Sequence, residues 1–587
     1  MPIAAATEHF AAGPRDCAIV RARSASSCAV GPRALPHHDL DPLILGVNAP
    51  PTGWHDPAAC LVDHDGTLLA FCEEERLSRA KHAERSGPLL AVRHCLAQTG
   101  ASFGDVDLVA VGWDVPLASR LFGFEWHLDE TPAWLERYLG WRCSMQDMPE
   151  VRFVGHHLAH ATIAFHASDF TEAAVLVIDG NGDDESISIY RADRERGLVR
   201  KRVWPRSHSL GYLYAAACRF VGFNHLQAGK LMGLSAWGRA ADAEPWDMLR
   251  GGEPQAPIGI DEGDGFNKYI HAWTAQLDRL AGGPRVRRPR HELHLDQLAV
   301  QVAVSAQDAV ERALLHLAAL ARELAGTENL CLAGGVALNC KANGLLDGPV
   351  FAPPAPHDAG TALGAAWHVT PPRSAAPAER ISAFLGPAPG ASVNGELEGL
   401  RREALSLEKV CDALQAGRIG AIVQGAGEIG PRALGHRSIV ADPSDAAMHA
   451  RLNAVKGREP WRPFGAAALS SRAAQLWQPR PRLSDYMLAG TPVSELGGER
   501  LPAAVHVDGT TRPQEVDPAS DDVLAALLAQ WGERAGGALI NTSFNGPGEP
   551  IVSSVADAAA AFRRLRLDFL VLDGELLTQR PTWWRST

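Results

Sequence analysis

Two histidines four residues apart, His156 and His160, lie in the stretch Val151 to Glu185, VRFVGHHLAHATIAFHASDFTEAAVLVIDGNGDDE. The stretch reads as a strand over 151–155, a helix over 156–166, and a buried-type strand over 173–178 that runs into Asp179-Gly180-Asn181-Gly182. Helical residues four apart share a face, so both imidazoles point the same way. A carboxylate at a strand's end, followed by small residues, is where an open α/β sheet meets a ligand. Two imidazoles and a carboxylate are a donor set for a divalent metal with open positions. The bland alternative is two histidines that merely share a helix face.

A second group is cationic. Arg432 and Arg437 sit in EIGPRALGHRS, and Lys456, Arg458 and Arg462 sit in KGREPWRPF. Arg512 lies in Thr511-Arg512-Pro513, while Asn541 and Ser543 sit in NTSFN at a strand's end. Arginine matches phosphate oxygens in pairs, so several converging arginines suit a small dianion or a nucleotide tail. Any one such motif would be an ordinary surface ion pair. Four within one domain, each beside Pro or Gly turns, point to an anion site.

Smaller signals accompany these. His55-Asp56, in the loop after the first strand, is a base candidate near neutral pH, against the bland reading of an exposed turn histidine. The run Glu73-Glu74-Glu75-Arg76 through Lys81-His82 reads as a solvated face. Gly229-Lys230 lacks the surrounding pattern of a phosphate-binding Walker loop. Leu330–Leu332 runs into Gly334-Gly335 and on to Asn339, a strand opening into turn N–H groups expected to be free for phosphate or ribose.

The elements that must hold these residues follow from the chain in order. Its 587 residues allow two or more domains, and 46% hydrophobic content supplies proper cores. Residues 1–42 lack periodicity and are expected to be a flexible extension. A strand, a hairpin, a helix and a strand (43–48, 59–62, 68–71, 89–98, 107–112) make a βββαβ opening that the stretch after 173 echoes, with a long helix near 295–325. Such a duplicated, hairpin-led unit on each side of a cleft suggests an α/β, actin-like fold over 43–370, with a generic doubly wound domain as the alternative. A Pro/Ala-rich linker at 371–389 precedes a second α/β domain over 390–587.

Net charge of −12, with only seven lysines, disfavours general nucleic-acid binding. No apolar run reaches the length of a membrane span, and the start lacks a secretory pattern, so a soluble cytoplasmic protein is expected. Ten scattered cysteines without a CxxC pair point to reduced thiols and against a zinc ribbon.

Taken in order, HHLAHA, VIDGNGD, AGKLMGL, LAGGVALN, the PP…DAGTALGAA run, EIGPRALGHRS, WRPF and NTSFN…GEPIV resemble the carbamoyltransferase family of nodulation and antibiotic-tailoring O-carbamoyltransferases, over about residues 43 to 580. The resemblance implies a Kae1-like actin-type domain followed by a YrdC-like domain. It implies that the second makes carbamoyl adenylate from carbamoyl phosphate and ATP (with Mg2+), releasing pyrophosphate. The first would then transfer the carbamoyl group to an acceptor hydroxyl with a bound divalent metal, iron in characterised members. By the same resemblance the metal ligands are His156, His160, Asp179 and Asp358, and the transfer site has His55 and Lys81. The carbamoyl-phosphate and ATP site takes Arg432, Arg437, Lys456, Arg462, Arg512 and Asn541. Lys230, Gly334, Gly335, Asn339 and Ser543 are expected to help bind the nucleotide or substrate. The expected acceptor is a small natural product, an antibiotic first; no nucleic acid or membrane is involved, and a homodimer is admissible. The loops 117–150 and 239–290, where acceptors would be chosen, carry no motif. Competing readings are an actin-like ATPase or kinase, a tRNA threonylcarbamoyl-type enzyme, a hydrogenase-maturation carbamoyltransferase and a non-catalytic binding module. The first leaves the second domain's arginines without a role, and the last predicts no turnover of ATP with carbamoyl phosphate. The acidic balance opposes the tRNA enzyme, and the missing zinc-finger cysteines oppose the hydrogenase-maturation one.

Overall fold

The computed structural model describes residues 17–20, 43–49, 55–121, 123–238, 240–249, 252–260, 265–283, 286–373, 380–392 and 395–579. The first sheet contains β1 (Cys17–Val20), β2 (Leu43–Asn48), β3 (Ala58–Val62), β4 (Leu68–Glu73), β5 (Val106–Val111) and β6 (Glu150–Val154). The second contains β7 (Glu172–Gly182), β8 (Glu185–Asp193), β9 (Gly197–Pro205), β10 (Leu330–Ala333) and β11 (Val350–Phe351). In the first, β2 pairs antiparallel with β3 and parallel with β5, β3 antiparallel with β4, and β5 parallel with β6. In the second, β7 pairs antiparallel with β8 and parallel with β10, β8 antiparallel with β9, and β10 parallel with β11. Counted from β2 and from β7, both therefore run third–second–first–fourth–fifth with the second strand reversed. This repeated order is the duplication expected of an actin-like domain.

Residues 1–42, expected to be a flexible extension, lie outside the described residues except for β1, which adds an antiparallel edge to β6. That strand is a correction to the sequence reading, since CAIV is too short to stand out as one.

The principal helices here are α1 (Leu89–Thr99), α2 (His156–His166), α3 (Gln297–Ala325) and α4 (Thr361–Val369). The fifth strand of each sheet is followed by a helix, α2 after β6 and α4 after β11, and these two pack on each other between the sheets. Their contact is close enough that a Cβ on Gly364 would collide with the Ala159 carbonyl oxygen. α2 is buried almost throughout, its histidines included, as a helix between two sheets must be. The pairing carries the N-terminal ends of both helices to one place, where the site forms.

The C-terminal body is a nine-stranded mixed sheet. Its strands are β12 (Leu400–Ala404), β13 (Gly420–Val423), β14 (Arg437–Ala441), β15 (Gly465–Leu469), β16 (Thr491–Pro492), β17 (Thr510–Val516), β18 (Ala538–Ser543), β19 (Phe569–Leu572) and β20 (Glu575–Gln579), in the order β12-β20-β19-β13-β14-β18-β15-β17-β16. Leu483, Tyr486, Met487, Leu488 and Ala489 of this body join the large N-terminal core. Polar ties reinforce the seam: Asn343 donates to the Leu488 carbonyl (2.8 Å), Gly490 N–H to the Cys340 carbonyl (2.7 Å), and Trp461 Nε1 to the Arg290 carbonyl (3.0 Å). Among the described residues, no helix is long and apolar enough to cross a membrane.

Candidate active site

His156 is the first residue of α2 and is fully buried. Its Nδ1 lies 2.8 Å from the Gly112 carbonyl, which fixes N–H on that side and leaves Nε2 as the free donor atom. Trp113, itself held by a 2.8 Å bond from its Nε1 to Asn48, stacks on the His156 ring at a centroid distance of 3.8 Å. Asp183 accepts the His156 backbone N–H at 2.7 Å and so fixes the start of the helix.

One turn on, His160 brings its Nε2 to 3.1 Å from that of His156. Asp179 comes from β7, and Asp358 from the 3-10 turn Asp358–Gly360 that leads into α4. Asp179 Oδ2 and Asp358 Oδ1 each stand 3.7 Å from His156 Nε2, and Asp358 Oδ1 is also 3.7 Å from His160 Nε2. One donor atom from each of the four lies within 4.8 Å of the others.

The electrostatics of these groups fit a cation. Burial alone would pull the His156 imidazole down, but Asp179 and Asp358 outweigh it and lift it to about 10. Burial would raise the Asp358 carboxyl, yet His156 and His160 hold it well below the usual range. Two buried carboxylates side by side require positive charge between them. The Nδ1 of His160 is buried without a hydrogen-bond partner, while its Nε2 meets the His156 ring and Asp358. Two imidazole nitrogens with two carboxylate oxygens form an N/O set suited to a divalent transition metal. His157 faces elsewhere, with its Nδ1 2.7 Å from Ser188 Oγ.

His55 stands beside this cluster, its Nδ1 3.0 Å from Asp56 Oδ2 and 3.9 Å from Asp358 Oδ2. Burial lowers its pKa, but the hydrogen bond to Asp56 and the charge of Asp358 raise it to about 9. Asp56 also meets His82 Nδ1 at 2.8 Å, and the His82 backbone N–H donates to Glu75 at 2.7 Å. Lys81 pairs with Glu75 at 3.3 Å. The acidic run was expected to be a solvated face, and this is a correction: Glu73, Glu74, Glu75 and Arg76 are all buried, at 5, 3, 4 and 4% exposure.

The turn N–H groups of Gly334 and Gly335 are likewise not free. Gly335 N–H donates to Asp179 Oδ1 (2.7 Å) and Gly334 N–H to the Pro356 carbonyl (2.9 Å). Gly335 thereby positions the Asp179 carboxylate. Gly334, with φ of +86° and its missing Cβ against Ile178, lets the two strand ends meet. Asn339 faces the cavity but is bonded to Gln307.

In the C-terminal body, Arg432, Lys456, Arg458, Arg462 and Arg512 all line the same cavity. Burial, then mutual repulsion with Arg462 and their neighbours, pushes Lys456 and Arg458 well below their usual values. Arg432 is lowered by burial and by Arg512. The Nε atoms of Arg432, Arg458 and Arg512 are buried without partners. Glu459 answers part of this charge, lying 2.7 Å from Lys230 and 3.5 Å from Arg462. Lys456 Nζ donates to the Asn545 side chain (3.1 Å) and to the Ser543 carbonyl, which seats the NTSFN turn against the cluster. Arg458, one of the three cations of its motif but absent from the site residues the resemblance implies, lines the cavity with its neighbours.

Arg437 and Asn541 do not reach this cavity. The Arg437 guanidinium is fully buried among the carbonyls of Pro387 (2.9 Å), Gln424 (2.7 Å) and Gly425 (3.0 Å), and binds the interdomain segment to the sheet. Asn541 donates to the Ala433 carbonyl (3.2 Å) and to Gln514, which supports the Arg432 loop from beneath.

His55, Lys81, Asp179, Asp358, Lys230, Gly335, Asn339 and the five cations line one cavity of about 1060 Å³ between the two bodies. His156 and His160 lie just behind its wall, reached through Asp179 and Asp358. Tyr212, His225 and Phe266 form an aromatic side near His55, and no motif in the sequence marks them.

Comparisons with known proteins agree with this division. The model of the carbamoyltransferase N-terminus matches residues 133–367 and that of the carbamoyltransferase C-terminus matches residues 411–579. The chain is 34% identical over 564 residues to nodulation protein NolNO of Sinorhizobium fredii, covering 91% of this chain and 80% of the relative. It is 35% identical over 457 residues to nodulation protein NolO of Bradyrhizobium diazoefficiens, covering 73% and 79%. The first matched region contains the four His/Asp ligand candidates and the second the five cavity cations, so both halves of the site fall within regions typical of one family of transferases. This chain belongs to the carbamoyltransferase family.

Proposed function

We propose that the chain is an O-carbamoyltransferase that makes carbamoyl adenylate in its C-terminal body and uses it at the His/Asp cluster to carbamoylate a hydroxyl of a small natural product, an antibiotic being the first class to try. The observation that carries this reading is the single cavity shared by a cation cluster and a metal-ligand cluster. In this reading residues 43–370 form the transfer domain and 390–587 the YrdC-like adenylate-forming domain, in a cytoplasmic setting.

Carbamoyl phosphate and the ATP triphosphate, carried with Mg2+, are dense anions. Arg432, Lys456, Arg458, Arg462 and Arg512 supply fixed, poorly compensated positive charge for them, each charge-assisted bond worth roughly 1.5–3 kcal/mol. Phosphate leaves carbamoyl phosphate and pyrophosphate leaves ATP, with one water consumed, so the carbamoyl group ends as a mixed anhydride with AMP. Such an anhydride hydrolyses readily, and a route enclosed between Lys230–Glu459 and Lys341–Asp508 limits water on its way to the second site.

There His55 and Asp56 hold the acceptor hydroxyl. Its oxygen attacks the carbamoyl carbon, the bond to AMP breaks, and the hydroxyl proton passes to His55, a base contribution of about 10²–10⁴-fold. The raised pKa of His55 is set by Asp56 and Asp358 acting against burial, so a cation held by Asp358 would lower it toward the range a base requires. A divalent metal held by His156, His160, Asp179 and Asp358, iron by family resemblance, would neutralise adenylate phosphate charge and polarise the reacting group.

The test is to incubate the protein with ATP and carbamoyl phosphate and follow pyrophosphate, with and without chelator. With Mg2+ kept in excess and a chelator selective for transition metals, pyrophosphate is expected in both conditions and acceptor carbamoylation only without chelator. Absence of pyrophosphate in both would overturn the reading.

A further inference from the structure

The segment Glu73 to Arg85 leaves β4 as a short helix, Glu74–Ser78, and ends in the turn Lys81–Ala83. It belongs to the N-terminal body but is gripped by the C-terminal one. Arg76 Nη2 donates to the Gly430 carbonyl at 2.6 Å, two residues before Arg432, and the Gly430 N–H donates to Glu73. Arg79 donates to the carbonyls of Ile551 (2.7 Å) and Pro550 (3.1 Å) and lies 3.3 Å from Asp557. Gly430 lies close against the N-terminal body, since its φ is +82° and a Cβ there would collide with the Pro354 carbonyl.

From Arg76 the contacts continue toward the transfer site. Arg76 pairs with Glu73 (3.1 Å) and with Glu75. Glu75 accepts the His82 N–H (2.7 Å), His82 Nδ1 meets Asp56 (2.8 Å), Asp56 meets His55 (3.0 Å), and His55 faces Asp358 (3.9 Å). Arg79, His82, Ala83 and Arg85 all have φ between 41° and 63°, a left-handed backbone that ordinary residues hold only when their surroundings dictate it. Here the two anchors in the C-terminal body and the Glu75–His82 bond dictate it. The row is unbroken from the Arg432 loop to a metal-ligand candidate, and its first members are shielded from solvent.

We propose that Arg76 is a positioning residue that couples the two sites: an anion held at Arg432 moves or stiffens the Gly430 turn, and Arg76 passes this through Glu75, His82 and Asp56 to His55 and Asp358. The inference rests on the function proposed above, in that carbamoyl phosphate is taken as the anion. A continuous row of contacts is a physical route for such coupling but becomes one only if both ends respond to each other. Coupling between binding sites is reciprocal, so it is measurable from either end without turnover or a known acceptor.

The test is a cobalt(II) titration of the metal-free full-length chain, followed by visible absorption, with and without saturating carbamoyl phosphate. Carbamoyl phosphate binding is measured separately by calorimetry. In the wild type, carbamoyl phosphate is expected to change cobalt affinity about threefold to thirtyfold. Arg76→Met should bring that ratio close to one while each ligand still binds alone, and Arg76→Lys should restore part of it. Because removing a buried cation from between two glutamates endangers folding, Arg79→Met, which cuts only the half-exposed anchor, is expected to reduce the ratio in a stable protein. A wild-type ratio of one with both ligands bound overturns the inference, and so does a ratio that survives Arg76→Met and Arg79→Met. Failure of carbamoyl phosphate to bind at all instead overturns the functional reading, and the inference with it.

Discussion

Gly364 in α4 lies directly against the Ala159 carbonyl in α2, and no side chain fits between them. The two helices that start at His156 and just after Asp358 therefore touch backbone to backbone. Gly364→Val is expected to push them apart and destabilise the fold by about 1–3 kcal/mol, as overpacking does. It should also weaken metal binding, because the ligands ride on the helix ends. Thermal unfolding with metal analysis of the folded fraction checks both. Normal metal affinity in a destabilised protein would separate the packing from the site.

His160 touches the rest of the site through its Nε2. His160→Ala should lower metal affinity by more than about a hundredfold, beyond the roughly 10–100-fold typical of losing an outer partner of a metal ligand. Acceptor carbamoylation should be lost and pyrophosphate release kept, since the cations of the second body are untouched. Elemental analysis and the two assays run in parallel decide this. Equal loss of both activities would place the metal in adenylate formation instead.

Arg512 and Arg437 give opposite expectations despite their shared chemistry. Arg512 lines the cavity with a buried, unpartnered Nε, so Arg512→Met should raise the KM for carbamoyl phosphate about 10–100-fold at little cost in stability. Arg437 binds backbone carbonyls between the interdomain segment and the sheet, so Arg437→Met should lower the Tm and leave KM nearly unchanged in whatever folds. Steady-state kinetics beside calorimetry separates the two.

That contrast marks where the sequence stopped being legible. The helix expected over 156–166 is α2 to the residue, and Asp179 falls where the apolar run stops, although β7 continues past it to Gly182; local periodicity carries the first of these but not the strand's extent. Whether an arginine faces a ligand or a carbonyl depends on which loop from another part of the chain lies opposite, and EIGPRALGHRS contains one of each. The run from Glu73 to Arg76 looks solvated for the same reason: its neutralising partners include the Gly430 turn of the other body. The paired glycines at 334 and 335 look like free donors until Asp179, far away in sequence, takes one of them.

Glu74 gives a pH dependence independent of the metal cluster. Burial raises its carboxyl to about 7, although the N–H groups at the start of α1, Ala91 among them at 2.8 Å, pull the other way. In the unfolded chain the group titrates near 4.5. Between these values the folded state holds a proton that the unfolded state has lost, so stability falls as pH rises from about 4.5 and levels off above about 7. Glu74→Gln keeps an oxygen for the Ala91 N–H and removes the charge. It should match the wild type near pH 4.5 and exceed it above pH 7 by roughly 1–3 kcal/mol. Chemical unfolding at both pH values measures the difference. A variant uniformly less stable at both would mean that the carboxylate is favourable where it sits and that its burial is offset by the helix end.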